Sequence, residues 1–497
     1  MKFLKKTLAY IVPVALALGM STSCTKFINI DPEDTLPSEA MDYSDVSYMY
    51  QPASGIYATA RTQAAHWANA MMMNTRDGDV WSGRVDDQGT AVDFGRYFNY
   101  NNGFWALGNV WTTFYNIIRA ANTALDELDK FDEYLAPGSD NAKLCNQYRG
   151  EVRTIRAWAY YQLVNNFGPI PILYDTYFTD FRRKKVESVY NYLIDELTWC
   201  KDNMSRVRPN QMPHVGAVTA FTAEMILAQV QMLKGNWAEV ETLTQDIIDK
   251  GNFELFADYY NLFKIPGKVC NESLFEIQVT DYGTGSGKYT GIDQYFNFQG
   301  PSMTHVDGNI GFGGWNFVSY EYEFVEWCDA RDETVRSETA ILRANTTTRD
   351  GDRVQPNGNP ASTQSWNGKA YLPYNQFTLP RMDYGANNNC RVLRYADVLL
   401  MNAEAKVRQG KNGDDPVNKV RARAKMPNLT GATVDQILDE RRIELCNEWC
   451  SRYIDLCRTG KAAQVLGPKG WTEAKRYWPI SQGHLDQAPE LLEDPID

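Results

Sequence analysis

RYADVLLMNAEAKVRQG, residues 394–410, decides the fold. Ala396, Leu399, Leu400, Ala403 and Val407 fall at i, i+3, i+4, i+7 and i+11, which puts them on one face of a helix, and Gly410 stops it. TAFTAEMILAQVQMLKGNWAEVETLTQDIIDKG, residues 219–251, repeats the layout. Ala228 stands seven residues before Gly235, as Ala403 stands seven before Gly410, and a second helix begins at Trp237. Small residues at a crossing followed by a glycine turn are what an αα-hairpin of tetratricopeptide type needs for close packing. Similar amphipathic periodicity predicts helices over about 53–74, 108–131, 143–167, 188–204 and 433–458. The chain therefore reads as mostly α, with scattered helix hairpins instead of a tandem array.

Between the hairpins lie Gly-, Asn- and aromatic-rich segments, chiefly 75–106, 279–327 and 345–392. They are too long for plain connectors, and their aromatic content argues against disorder, so they read as ordered functional loops on a helical scaffold. The 497 residues are 43% apolar and 23% charged, as expected of a globular protein. A net charge of −12 argues against a nucleic-acid partner, because phosphate binding needs a basic footprint.

The first residues stand apart. Lys2, Lys5 and Lys6 precede an apolar run from Leu8 to Met20, and small residues lead to Cys24. This is the layout of a secretory signal over 1–23, and the run is shorter than the ~20 residues of a membrane span. Ser21–Cys24 resembles a bacterial lipobox, which makes Cys24 the lipidation site and the lipid the membrane anchor. Removing the leader leaves 47 basic against 62 acidic residues, net −15, so the lipid and not headgroup attraction would hold the body at the membrane. The eight remaining cysteines are spaced as buried thiols, with disulfides as the alternative; no CxxC or His-rich pattern suggests a metal.

No catalytic motif stands out. His66, His214, His305 and His484 form no HExxH and sit beside no nucleophile motif. In GTGSGKYT, residues 283–290, the P-loop spacing would place Tyr282 at the first glycine and Tyr289 at the Ser/Thr position. GNIGFGGW, residues 308–315, follows no strand of a βαβ unit, so no dinucleotide fingerprint is present. Paired carboxylates for glycoside hydrolysis are not singled out among 62 acids. The expectation is no catalytic residue, no cofactor and no metal.

Seven segments in order carry a resemblance: CTKFINIDPEDTLP (24–37), VWTTFYNIIRAANTALDEL (110–128), GEVRTIRAWAYYQLVNNFGPIPIL (150–173), NESLFEIQ (271–278), RYADVLLMNAEA (394–405), ERRIELCNEW (440–449) and YWPIS (477–481). Together they resemble the SusD/RagB family of outer-membrane lipoproteins over nearly all of residues 24–497. One departure is Trp449, where the family usually has glycine. Glu440, Arg441, Arg442, Glu444, Arg452 and Asp455 read as ion pairs knitting the C-terminal helices, and Arg394 with Tyr395 as the anchor of a hairpin.

The resemblance implies a single SusD-like domain with TPR-like helix pairs, a surface receptor without catalysis, and a SusC-like TonB-dependent transporter as partner, at the cell-facing side of the outer membrane. The implied ligand is a glycan, whose C–H faces stack on indole and phenol rings while its hydroxyls need polar partners. Asp77, Asp79, Trp81 and Arg84 lie on the loop after the first helix, where the family commonly places a stacking Trp. Tyr97, Tyr100, Asn101 and Trp105 follow. Tyr289, Tyr295 and Trp315 come from the second insertion and Trp366 from the third. Trp81 and Trp315 are expected as the main platform. A RagB-like peptide receptor and a lipid-anchored glycosidase remain the alternative readings.

Overall fold

The computed structural model describes residues 41–177, 179–279, 294–300, 304–306, 309–310, 314–356, 364–376, 387–449 and 451–497. Cys24 and Tyr289 lie outside the described residues. Contacts divide the chain into Met1–Tyr48 and Met49–Asp497. In the first unit, the described residues hold a single 3-10 turn, Val46–Tyr48.

The second unit is mostly helical. Numbering helices of eight or more residues, it opens with α1 (Tyr50–Ala64), α2 (Trp67–Asn74), α3 (Gly89–Tyr97), α4 (Trp105–Phe131), α5 (Asp140–Phe167), α6 (Val186–Asn203), α7 (Ala220–Lys234) and α8 (Trp237–Lys250). It continues with α9 (Tyr322–Ala330), α10 (Tyr395–Arg408), α11 (Asp414–Arg423), α12 (Val434–Glu444) and α13 (Ser451–Arg458). Successive long helices pack on one another from α4 to α8, and α8 then packs on α10 across the intervening residues 251–394. The array is therefore continuous in space although interrupted in sequence.

The glycine turns behave as the spacing predicts. Gly235 caps α7 in the left-handed region at φ 73°, and Gly410 takes the same φ just beyond α10, a conformation costly for residues with a Cβ. Ala228 and Ala403 are fully buried. Gln229 on α7 donates to Asp397 on α10, and Asn402 donates to Thr244 on α8 at 3.0 Å, so the two hairpins are joined by buried polar bonds. Every side chain of α7 from Ala220 to Met232 is buried, which sets this helix in the core of the array.

Two predicted helices are each broken. The 53–74 stretch divides at His66, which is extended at ψ 133° and caps α2 by accepting from the Ala68 N–H through Nδ1 at 3.2 Å. The 433–458 stretch divides after α12, where Asn447 and Trp449 both take positive φ, 59° and 48°. Trp449 thus occupies a backbone position that favours glycine, at a cost of roughly 1–2 kcal/mol. Its indole offsets this by donating to the Arg391 carbonyl at 2.8 Å and packing edge-on to Trp158 at 5.3 Å.

Short strands sew the long insertions together. β1 (Val80–Trp81), β5 (Ser319–Tyr320), β8 (Ser365–Asn367) and β6 (Ile341–Arg343) form one antiparallel sheet in the order β1-β5-β8-β6. Each of the three insertions contributes a strand. β2 (Ser273–Ile277) pairs with β9 (Cys390–Arg394) at the entrance to α10, and a third sheet holds β3 (Thr304–Val306), β4 (Asn309–Ile310) and β7 (Arg353–Val354).

A buried ionic network locks α10–α13 to the β2/β9 pair. Arg394 reaches Glu272 (2.6 Å), Glu444 (3.0 Å) and Glu448 (2.7 Å), while Arg423 bridges Glu272 and Glu444. Arg441 binds Asp397 and Asp455. Burial pushes the Glu444 carboxyl up, but Arg423, Arg394 and Arg336 overcome it and hold its pKa at about 2. Five of the seven described cysteines are buried and the other two half-buried, all as free thiols.

Candidate functional site

The sheet removes Trp81, one of the two expected platform residues, from the surface. Trp81 pairs across the strands with Ser319, and Ser319 with Trp366, so both indoles share one sheet face with a small serine between them. That face is the core: Trp81 is 1% exposed and Trp366 is fully buried against Leu342, Val354 and Tyr371. The Arg96 guanidinium covers the Trp81 ring at 4.4 Å. Neither indole offers a stacking face in this conformation.

Most of the polar candidates near Trp81 are also committed to the fold. Asp77 accepts from the Asp79 and Val80 N–H groups at 2.8 and 2.9 Å, shaping the turn into β1, and burial together with the Asp79 charge raises its pKa to about 7. Asp79 is bound by Arg442, Nε to Oδ2 at 2.7 Å, and lies 3.5 Å from Arg452. Tyr100 donates to the Lys475 carbonyl, and Tyr295 is buried beside Phe296 and Phe298. Asn101 closes a turn by accepting from the Gly103 N–H, its side chain exposed; Tyr97 is half-exposed at the end of α3.

Trp315 is different. Half-buried, it meets Trp67 edge-on at 5.7 Å. Trp67 in turn lies 5.4 Å from Trp105, with the planes inclined at 57°. Phe317 and Phe298 lie against Trp67 at 5.3 and 6.0 Å. Three indoles from the starts of α2 and α4 and from the approach to β5 thus form one cluster, and Trp105 is 46% exposed. An indole cluster that reaches the surface is a candidate interaction site.

Local structure explains each position. The break at His66 turns Trp67 out at the first residue of α2, and Trp105 occupies the first residue of α4. Gln88 holds the Trp105 indole N–H at 3.3 Å. Arg84 is in the cluster's rim: Nη1 donates to the Trp315 carbonyl at 3.1 Å, and its guanidinium lies 5.6 Å from the Phe317 ring. Burial pushes the His66 imidazole below its usual pKa, so the ring is neutral, with Nδ1 accepting and the proton on Nε2. Trp67 is the residue that sequence reading missed. Its only signal is the short QAAHWANA run, which carries no Gly or Pro to mark the break.

A separate cavity of about 470 Å³ lies beside β6, lined among others by Tyr260, Tyr371, Thr346, Thr348, Arg343 and Arg349. Four of its polar side chains have partners: Tyr260 donates to Asp350 and Tyr371 to Asp352, while Arg343 and Arg349 pair with Asp329 and Asp258. Among the described residues no group of three His, Cys, Asp or Glu is placed to hold a metal ion, and no helix is long and apolar enough to cross a membrane.

The irregular segments 75–106 and 279–327 thus bring Trp105 and Trp315 to Trp67 on the helical array. The chain belongs to the SusD family. The SusD family model matches residues 271–495, and the model described as starch-binding associating with outer membrane matches 46–227. SusD-like protein P38 of Formosa agariphila is 23% identical over 96% of each chain. A laminarin-binding SusD-like protein has the same fold, with TM-score 0.77 and 22% identity over 90% of this chain and 99% of that one. Surface glycan-binding protein A from Bacteroides thetaiotaomicron, solved with laminarihexaose, superposes with TM-score 0.74 and 20% identity over 90% and 98%.

Proposed function

We propose that this protein captures glycans on the Trp67–Trp105–Trp315 cluster. The observation that carries the reading is the convergence of three indoles from distant segments on one surface patch, beside polar groups of the right chemistry. Sugar C–H faces stack on such rings, and Gln88, Arg84 and neutral His66 supply donors and acceptors for hydroxyls. The solved relatives named for laminarin and surface glycan binding support the same ligand class.

The finer reading is a binder and not an enzyme. It is anchored through a lipid at Cys24, faces outward from the outer membrane, and hands its glycan to a SusC-like TonB-dependent transporter. The leader, the lipobox-like Ser21–Cys24 and the outer-membrane wording of the matched family support it. Retardation of the protein in gels containing different polysaccharides, with reducing-sugar release measured in parallel, tests the proposal. Retention without new reducing ends is expected. Released oligosaccharide would make it a glycosidase, and no retention by any polysaccharide would turn the reading toward peptides.

A further inference from the structure

The charges around the indole cluster select among glycans. Arg84 is a cation whose contacts place it against the cluster, and its guanidinium is already ion-paired. Nε and Nη2 donate to the two oxygens of Asp86 at 2.9 and 3.3 Å, Nη2 lies 3.6 Å from Asp87, and Nη1 is spent on the Trp315 carbonyl. These bonds take three of the five guanidinium N–H donors, and the bidentate pair offsets its charge toward a second anion. The two carboxylates are themselves exposed, 69% for Asp86 and 48% for Asp87 in their side chains, so the rim carries one positive and two negative charges.

Gln88, which accepts from the Trp105 indole, is uncharged, and burial lowers the pKa of the His66 ring beside Trp67. The background is also negative, net −15 without the leader. A polyanion approaching this patch is repelled at long range, and at contact it meets an Arg84 already paired with Asp86.

We infer that the site takes neutral glycans and rejects uronic-acid and sulfated ones, with Asp86 and Asp87 as the specificity determinants that keep Arg84 from reading an anionic sugar. The inference rests on the glycan reading above. It predicts recognition through stacking and uncharged hydrogen bonds, so affinity should be nearly independent of salt, since screening acts on charge pairs.

The test uses the protein without its leader against a neutral β-glucan, a polyuronate and a sulfated galactan, each at low and high salt. The expected result is retention by the neutral polymer at both salt concentrations, with the two anionic polymers bound at least tenfold more weakly. The Asp86→Asn/Asp87→Asn variant, altered only at exposed side chains, should gain about tenfold in affinity for the sulfated polymer, and the gain should vanish at high salt. Anionic polymers bound as well as the neutral one would overturn the inference and leave glycan capture standing, and so would a double variant without that gain. Retention of none of the three polymers would instead overturn glycan capture itself.

Discussion

Truncating Trp105 and Trp81 separates the two roles an indole can have in this fold. Trp105 is 46% exposed, so of the roughly 220 Å² of a Trp side chain about 100 Å² is open to a ligand. Covering half to all of that area at about 25 cal/mol per Å² contributes roughly 1.2–2.5 kcal/mol, or about 10- to 60-fold in affinity. Trp105→Ala should therefore lose glycan binding by that factor while melting close to the parent. Trp81, 1% exposed and packed under Arg96, should do the reverse on structural grounds: its removal opens a cavity costing about 3–5 kcal/mol. Isothermal titration with a neutral oligosaccharide and thermal melting on the same samples decide the matter. Unchanged affinity in Trp105→Ala would refute the platform and shift attention to the cavity beside β6. A Trp81→Ala protein that melts normally would refute the assignment of that indole to the core.

Further outcomes follow from the buried charges, the turn after α12 and the leader. Glu444→Gln leaves Arg394 and Arg423 short of a partner in the interior and should cost about 3–5 kcal/mol, read by chemical denaturation. Because the Glu444 pKa is depressed from 4.5 to about 2, its contribution is present above pH 4.5 and lost as pH falls toward 2, so the parent should lose stability over that window and the variant less. Glu151 has the opposite sign: burial raises its pKa to about 7 while Tyr57 and Gln147 donate to it, so its protonated form favours folding below pH 4.5 and the benefit is lost as pH rises through 7. Glu151→Gln should flatten the decline in melting temperature between pH 5 and 8. Trp449→Gly relieves an unfavourable φ, yet it should still melt lower than the parent because the bond to Arg391 and the packing on Trp158 are lost. Cys24→Ala should move the protein from the outer-membrane fraction to the soluble periplasmic one; continued sedimentation with membranes would dismiss the lipid anchor.

The helical array was legible because burial leaves a 3.6-residue period and because turns between packed helices demand glycine, as at Gly235 and Gly410. The ionic partners of Arg394 and Arg441 were legible in kind, since so many charges on apolar-faced helices must pair when buried. The site was legible only in part. Strands of two or three residues are too short to show alternation, so Trp81 and Trp366 read as loop aromatics although sheet pairing turns both inward. Trp315 joins Trp67 and Trp105 in the candidate cluster, of which Trp105 is the exposed member. Trp67 stayed hidden because α1 ends at Ala64 and His66 caps α2 with no Gly or Pro to mark the break.

The four-stranded sheet fixes each insertion by only a few backbone pairs, Val80 and Trp81 on Tyr320 and Ser319, and Ser319 on Trp366. Between those pins the chain is free to change length without moving the array, because loop closure costs only about 0.6 kcal/mol for each doubling of a flexible loop. Insertions and deletions there are consequently cheap in stability and large in effect on whatever borders the indoles. A protein built this way can exchange its ligand preference by editing loop lengths, while the helices that carry its stability keep their sequence.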